Sequence, residues 1–190
     1  IMAAGHEGAG AERSFGAAIR LPMEAEPNEF IEGHPRLLNF KYFFTRKVTF
    51  LKESDAFVAL PGGFGTLDEA YELLTLMQTG KTDIEPIVLL EVPGGTFWQD
   101  WLRFTQGQLA ARDLISESDL RLLHRPESID AAVEHICRFY NNYHSMRYVD
   151  RRLVLRLNRL PPPQRLDQLA ASFAGILREP GITPVEPSAQ

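Results

Sequence analysis

Apolar positions along the chain follow two periods, one of continuous strand-length runs and one of helical spacing. Residues 14–21 (SFGAAIRL), 55–60 (DAFVAL) and 86–92 (PIVLLEV) are short apolar runs, and the last two have the pattern of parallel strands buried on both faces. The segment FKYFFTRKVTFLKES places Phe40, Phe43, Phe44, Val48, Phe50 and Leu51 near helical spacing, with Arg46 and Lys47 off the stripe, and predicts a helix. From Thr66 the spacing is helical again: Leu67, Ala70, Leu73, Leu74 and Met77 share a face, and Gly80 is placed to end the helix. Pro93, Gly94 and Gly95 then turn the chain into an amphipathic helix from Phe97 to about Ala111, followed by a strand at 120–123 and a helix from Ser128 to about Tyr143.

Beyond His144 the regularity weakens. RLVLRL fits a strand or a helix, Pro161 to Pro163 interrupt it, residues 164–178 form a last amphipathic helix, and PGITPVEPSAQ reads as disordered. Strands alternating with helices predict an α/β fold, a parallel sheet wound in right-handed crossovers. The expected organisation is a main domain over 1–143, a C-terminal extension over 144–179 and a tail over 180–190. The chain opens on Ile1, and IMAAGHEGAGAE reads as a helix already under way with no N-cap before it. The expectation is therefore a sequence truncated at its N-terminus, with one or two strand–helix units of about 30 residues each upstream.

Composition narrows the ligand rather than the fold. With 44% apolar and 24% charged residues the chain is an ordinary globular one, and its net charge of −5 supplies no general pull toward nucleic acid or anionic lipid. Any polyanion site must be local, which suits a small phosphorylated ligand better than DNA. No apolar run approaches the roughly 20 residues needed to cross a bilayer, and no signal-peptide pattern is present, so the expected location is the cytoplasm. The single cysteine, Cys137, excludes an intrachain disulfide and a thiolate metal cage, and its apolar helical setting predicts a core residue. The loop after the first strand carries Glu24, Glu26, Glu29 and Glu32, which read as solvated acids.

The chemistry concentrates in PGGFGTLDE, residues 61–69. Gly62, Gly63 and Gly65 end a strand and open a helix, placing backbone N–H groups at the positive end of the helix dipole with no Cβ in the way. Such a turn binds phosphate, and Thr66, expected near the N-cap, can cap the helix or donate to a phosphate oxygen. No Gly-Lys-Ser/Thr follows, and the spacing is not GxGxxG, so ATP hydrolysis and dinucleotide redox chemistry lose support. Asp68 and Glu69 are expected in the first turn, where acids suit the dipole. At roughly 100° per residue only one of them can face the phosphate side.

PGGFGTLDE, together with Arg46 and Lys47 upstream, resembles the PGGxGTxxE signature and preceding Arg-Lys pair of the LOG family. These are cytokinin riboside 5′-monophosphate phosphoribohydrolases, also described as "possible lysine decarboxylase". The resemblance runs from Ile1 to about residue 140, and LNFKYFFTRK and YHSMRYVDRRLVLRL are similar to the longer bacterial branch. It implies a Rossmann-like parallel sheet with helices on both faces, a homodimer or higher homo-oligomer, no cofactor and no metal. The implied reaction is hydrolysis of the N-glycosidic bond of a nucleoside 5′-monophosphate to free base and ribose 5-phosphate. Residue by residue, it implies catalytic roles for Arg46 and Glu69, a phosphate turn of Gly62, Gly63, Gly65 and Thr66, and ligand contacts from Glu24, Lys47 and Thr75. Ile1-Met2 is similar to the end of a first Gly-rich turn, expected to face the one at 62–65 across the ligand.

Elementary chemistry agrees with that assignment. Breaking a ribosyl C–N bond passes through an oxocarbenium-like state that a carboxylate can stabilise while it orients water, and a cation can offset charge on the departing base or grip the phosphate. The decarboxylase description needs a pyridoxal phosphate lysine, and none of Lys41, Lys47, Lys52 and Lys81 sits in a Ser-x-His-Lys-like setting. The alternative from another class is a non-catalytic nucleotide or molybdenum-cofactor carrier-like protein, against which the Arg46 and Glu69 pair argues. FKYFFT, with more aromatics than one helix face buries, supports a homodimer.

Overall fold

The computed structural model describes residues 2–19, 29–179 and 181–185. Glu24 and Glu26, Ile1 and part of the C-terminal tail lie outside the described residues. The chain divides into two compact units, 1–125 and 126–190.

The first unit runs α1 (Met2–Ala9), β1 (Gly16–Ile19), β2 (Leu37–Phe40), α2 (Phe43–Glu53), β3 (Phe57–Ala59), α3 (Phe64–Gln78), β4 (Ile87–Leu89), α4 (Phe97–Phe104) and β5 (Leu123–His124). Its strands pair in parallel throughout. β1 pairs with β2 from Gly16 opposite Leu37 to Ile19 opposite Phe40, and β4 lies between β3 and β5. This is the mixed α/β architecture expected, parallel sheets flanked by helices.

β4 is the strand that its apolar run predicts: Ile87, Val88 and Leu89 are at most 1% exposed. β3 departs from expectation. It is the edge of the three-stranded sheet, and Val58 is 46% exposed, so DAFVAL is not buried on both faces. The core forms where Leu73 and Met77 of α3 and Trp98 and Trp101 of α4 close over Ile87 and Leu89. Each indole finds the partner that a buried N–H requires: Trp98 donates to Leu90 O at 3.2 Å and Trp101 to the Tyr71 hydroxyl at 2.9 Å.

Several boundaries move. The aromatic segment expected as one helix from Phe40 gives its first residue to β2, and α2 begins only at Phe43. α4 stops at Phe104, and a π-helical turn (Thr105–Leu109) and a 3₁₀ turn (Ala110–Arg112) continue it. Most of the expected strand at 120–123 is 3₁₀ helix, Glu117–Leu122, started by a Ser116 capping box. Gly80 does end α3, at φ 65°, a conformation that glycine adopts without a Cβ penalty.

The second unit contains α5 (Ile129–Asn142), the antiparallel hairpin β6 (Tyr143–Val149) and β7 (Arg152–Leu157), and α6 (Pro163–Ser172). RLVLRL is thus a strand. Cys137 on α5 is exposed rather than buried, because it falls off the stripe that Ala132 anchors. No helix among the described residues is long and apolar enough to cross a membrane.

Candidate functional site

The Gly-rich turn joins β3 to α3 at the C-terminal edge of the sheet, where ligands of open α/β folds bind. The helix starts earlier than its apolar spacing suggests. Gly63 is the N-cap, no side chain caps it, and Thr66 lies in the first turn rather than at the cap. The N–H groups of that turn are therefore left to solvent or to a ligand.

The glycines serve different ends. A Cβ at Gly62 would collide with the Thr66 hydroxyl, which folds back over the turn, whereas a Cβ at Gly63 or Gly65 would meet nothing within 4 Å. Gly63 has φ −88°, so an unusual backbone conformation is not what requires glycine there. Its value is an uncovered approach to the helix start. Phe64, between them, is 93% exposed.

Because α3 begins at Phe64, its first turn holds no acid, and Asp68 and Glu69 stand in the second turn. The dipole therefore does not account for them; α2 does. Arg46 donates from Nη2 to Glu69 Oε1, while its Nη1 reaches the Ala17 carbonyl of β1 at 3.4 Å. The guanidinium lies 5.3 Å from the Phe50 ring centre, and its buried Nε has no partner among the described residues. Lys47 Nζ lies 2.6 Å from Asp68 Oδ2 and 2.9 Å from Glu72 Oε2. Those two carboxylates, Asp68 foremost, hold the Lys47 ammonium above the usual lysine range.

Arg46, Lys47 and Glu69 are thus brought together where α2 meets α3. Thr75 lies further along α3, in an open groove of about 460 Å³ with Lys47, Asp68, Tyr71, Glu72 and Leu76. Its hydroxyl donates to the Tyr71 carbonyl at 2.7 Å. Glu24 lies outside the described residues. Among those residues, no group of His, Cys, Asp and Glu is arranged to hold a metal ion.

Sequence reasoning misses Glu72, although its i, i+4 spacing from Asp68 puts both acids on one helix face. It also misses the Ala17 carbonyl, which no side-chain motif can announce.

A parallel α/β unit with an uncapped Gly-rich helix start and an Arg–Glu pair beside it is the setting in which the comparisons fall. The family model described as possible lysine decarboxylase matches residues 2–136, and the chain belongs to that family. Among curated proteins it is similar to cytokinin riboside 5′-monophosphate phosphoribohydrolase LOG1 of Arabidopsis thaliana, 53% identical over 49 residues, covering 26% of this chain and 22% of that protein. A probable cytokinin riboside 5′-monophosphate phosphoribohydrolase, LOGL3 of Oryza sativa subsp. japonica, is 40% identical over 78 residues, covering 41% of this chain and 35% of its own length. The matched segments thus span between about a fifth and about a third of these relatives.

Proposed function

We propose that the chain is a hydrolase that cleaves the N-glycosidic bond of a nucleoside 5′-monophosphate, AMP or a cytokinin riboside 5′-monophosphate, releasing free base and ribose 5-phosphate. One observation carries this reading: the Arg46–Glu69 pair stands within two helical turns of an uncapped, Gly-rich helix start. A phosphate on the N–H groups of Phe64, Gly65 and Thr66 would be held by the helix dipole and the Thr66 hydroxyl. Glu69, 40% exposed at its side chain, is accessible to a ribose and to water.

In this mechanism the C1′–N bond lengthens, positive charge develops on the ribosyl ring, and the Glu69 carboxylate stabilises it while orienting a water toward C1′. Water adds to C1′ and its proton passes to the carboxylate, while the base departs with the bonding pair and takes up a proton from solvent; the carboxylate then returns its proton to solvent, which closes the cycle. Arg46 holds the Glu69 carboxylate in place and offsets charge on the leaving group or the phosphate. The names of the relatives, cytokinin riboside 5′-monophosphate phosphoribohydrolases, support the same chemistry. A Schiff-base decarboxylation gains nothing from Lys47, whose ammonium is tied to two carboxylates.

Incubation of the protein with AMP and with an N6-prenylated AMP, followed by chromatography, should yield free base and ribose 5-phosphate. Binding of either nucleotide without base release would overturn the hydrolase reading in favour of a carrier. The reading includes a cytoplasmic homodimer: Tyr42, Phe43 and Phe44 are 51%, 52% and 64% exposed where α2 begins. Light scattering at micromolar concentration should report at least a dimer, and a monomer would remove that part of the reading.

A further inference from the structure

We infer that Lys47 is a positioning residue, whose hold on Asp68 and Glu72 locks α2 to α3 and so sets the neighbouring Arg46 opposite Glu69. The resemblance implies a ligand contact for Lys47, and the geometry argues otherwise. Its side chain is 15% exposed, and its ammonium is engaged by Asp68 at 2.6 Å and by Glu72 at 2.9 Å. A phosphate dianion approaching that ammonium would meet two carboxylates first, and like charges at such distances repel. The open N–H groups at Gly63 offer an anion a site without that opposition.

The pairing also has the form of a clamp. Asp68 and Glu72 stand four residues apart on one face of α3 and take Lys47 between them, while Glu69 lies about a quarter turn away, facing Arg46. Consecutive bases on α2 therefore grip consecutive acids on α3. One pair alone would leave each helix free to roll about the contact; two pairs fix the rotation of both. Arg46 needs that help, because its other polar tether is a long bond of 3.4 Å to the Ala17 carbonyl and its Nε has no partner among the described residues. Near-attack geometry is sensitive to displacements of about 1 Å, so a small roll of α3 would cost turnover rather than binding.

The kinetic arm of the test rests on the hydrolase reading; the stability arm does not. Lys47→Met should lower kcat for AMP at least about tenfold, while KM and the affinity for ribose 5-phosphate by calorimetry stay within about threefold. The double variant Asp68→Asn with Glu72→Gln should reproduce the loss of kcat, the triple variant should add nothing further, and Lys47→Arg should recover most of the rate. A rise in KM and a loss of ribose 5-phosphate affinity of about tenfold or more in Lys47→Met, with kcat retained, would make Lys47 a phosphate ligand and overturn the inference. If the native protein releases no base, the hydrolase reading fails by itself. The thermal unfolding cycle then decides the clamp: Tm losses of Lys47→Met and of the Asp68/Glu72 variant should be strongly non-additive, and additive losses would refute it. Should Lys47→Met not fold, the same cycle run with Lys47→Gln, which also removes the charge, and the acid variants separates coupled from additive losses in the same way.

Discussion

Two helices begin at the same edge of the parallel sheet and treat that position in opposite ways. α3 starts at an N-cap, Gly63, that offers no side chain, and the acids nearest to it are drawn away by α2. α4 starts after a loop closed on itself. The Glu91 side chain, 6% exposed, accepts from the Phe97 N–H at 2.9 Å and from both Nε and Nη2 of Arg125, at 3.2 and 3.1 Å. Arg125 also donates to the Gly95 carbonyl, and a Cβ on Gly95 would approach Glu91 Oε2 to 2.6 Å. Both helix starts carry the same dipole, but only the first leaves it unanswered. The fold thus satisfies the start of α4 internally and leaves the start of α3 open, which is the asymmetry the proposed phosphate site relies on. The two glutamates divide in the same way: Glu69 is half-buried and held by one arginine, whereas both oxygens of Glu91 are occupied in structure.

The largest expected effect falls on Glu69. Glu69→Gln should lower base release from AMP by about 10²- to 10⁴-fold while nucleotide affinity stays within about tenfold, because the carboxylate acts mainly in the transition state. Unchanged turnover would take Glu69 out of the mechanism.

Glu91→Ala should show the reverse profile. Loss of a cap and of a charged hydrogen-bond acceptor should cost about 2 kcal/mol in denaturant unfolding, with residual turnover tracking the folded fraction. A stable variant with impaired nucleotide binding would move the ligand toward α4 and break the comparison.

Gly63→Val should weaken nucleotide or ribose 5-phosphate binding about tenfold, about 1.4 kcal/mol, by covering the open helix start while leaving the fold intact. Normal affinity by calorimetry would place the phosphate elsewhere.

The smallest effect lies at the opposite edge of the sheet, just before β4. Burial, and then the charges of Asp55 and Asp83, push the Glu85 carboxyl up to about 7. Its folded value exceeds its unfolded one, so the contribution to stability is present in mild acid and fades as pH rises through about 7. Glu85→Gln should flatten that dependence by about 1 kcal/mol between pH 5 and pH 8, after discounting for solvent screening, with no change in ligand affinity. Denaturant titrations at the two pH values measure it, and an unaltered pH slope would show that Glu85 is not the group responsible.

Much of the first unit is legible in the chain because its signals are local. The apolar run of β4, the periodicity of α3 and the strand–glycine–helix order of residues 57–66 each lie within one short window, where backbone preference and burial agree. β2 escapes notice because Leu38 and Asn39 are exposed and LLNF runs directly into an aromatic segment, so no alternation marks it. β5 escapes because two ladder residues, Leu123 and His124, are too few to leave a pattern.

The site divides along the same line. The sequence by itself determined that glycines end β3 and open α3 and that Asp68 and Glu69 follow within that helix, which are matters of spacing along one chain; Arg46 and Lys47, upstream on another helix, were joined to the turn only by the family resemblance. Which acid meets which base was decided only when α2 and α3 packed together. Helix rotation then gave Glu69 to Arg46 and set Asp68 with Glu72 around Lys47. The closed start of α4 was decided in the same way, since Glu91 and Arg125 are far apart in sequence and meet only because β4 and β5 are neighbours in the sheet. Charge pairing across elements depends on the packing that brings them together, and a one-dimensional pattern records the charges without their partners.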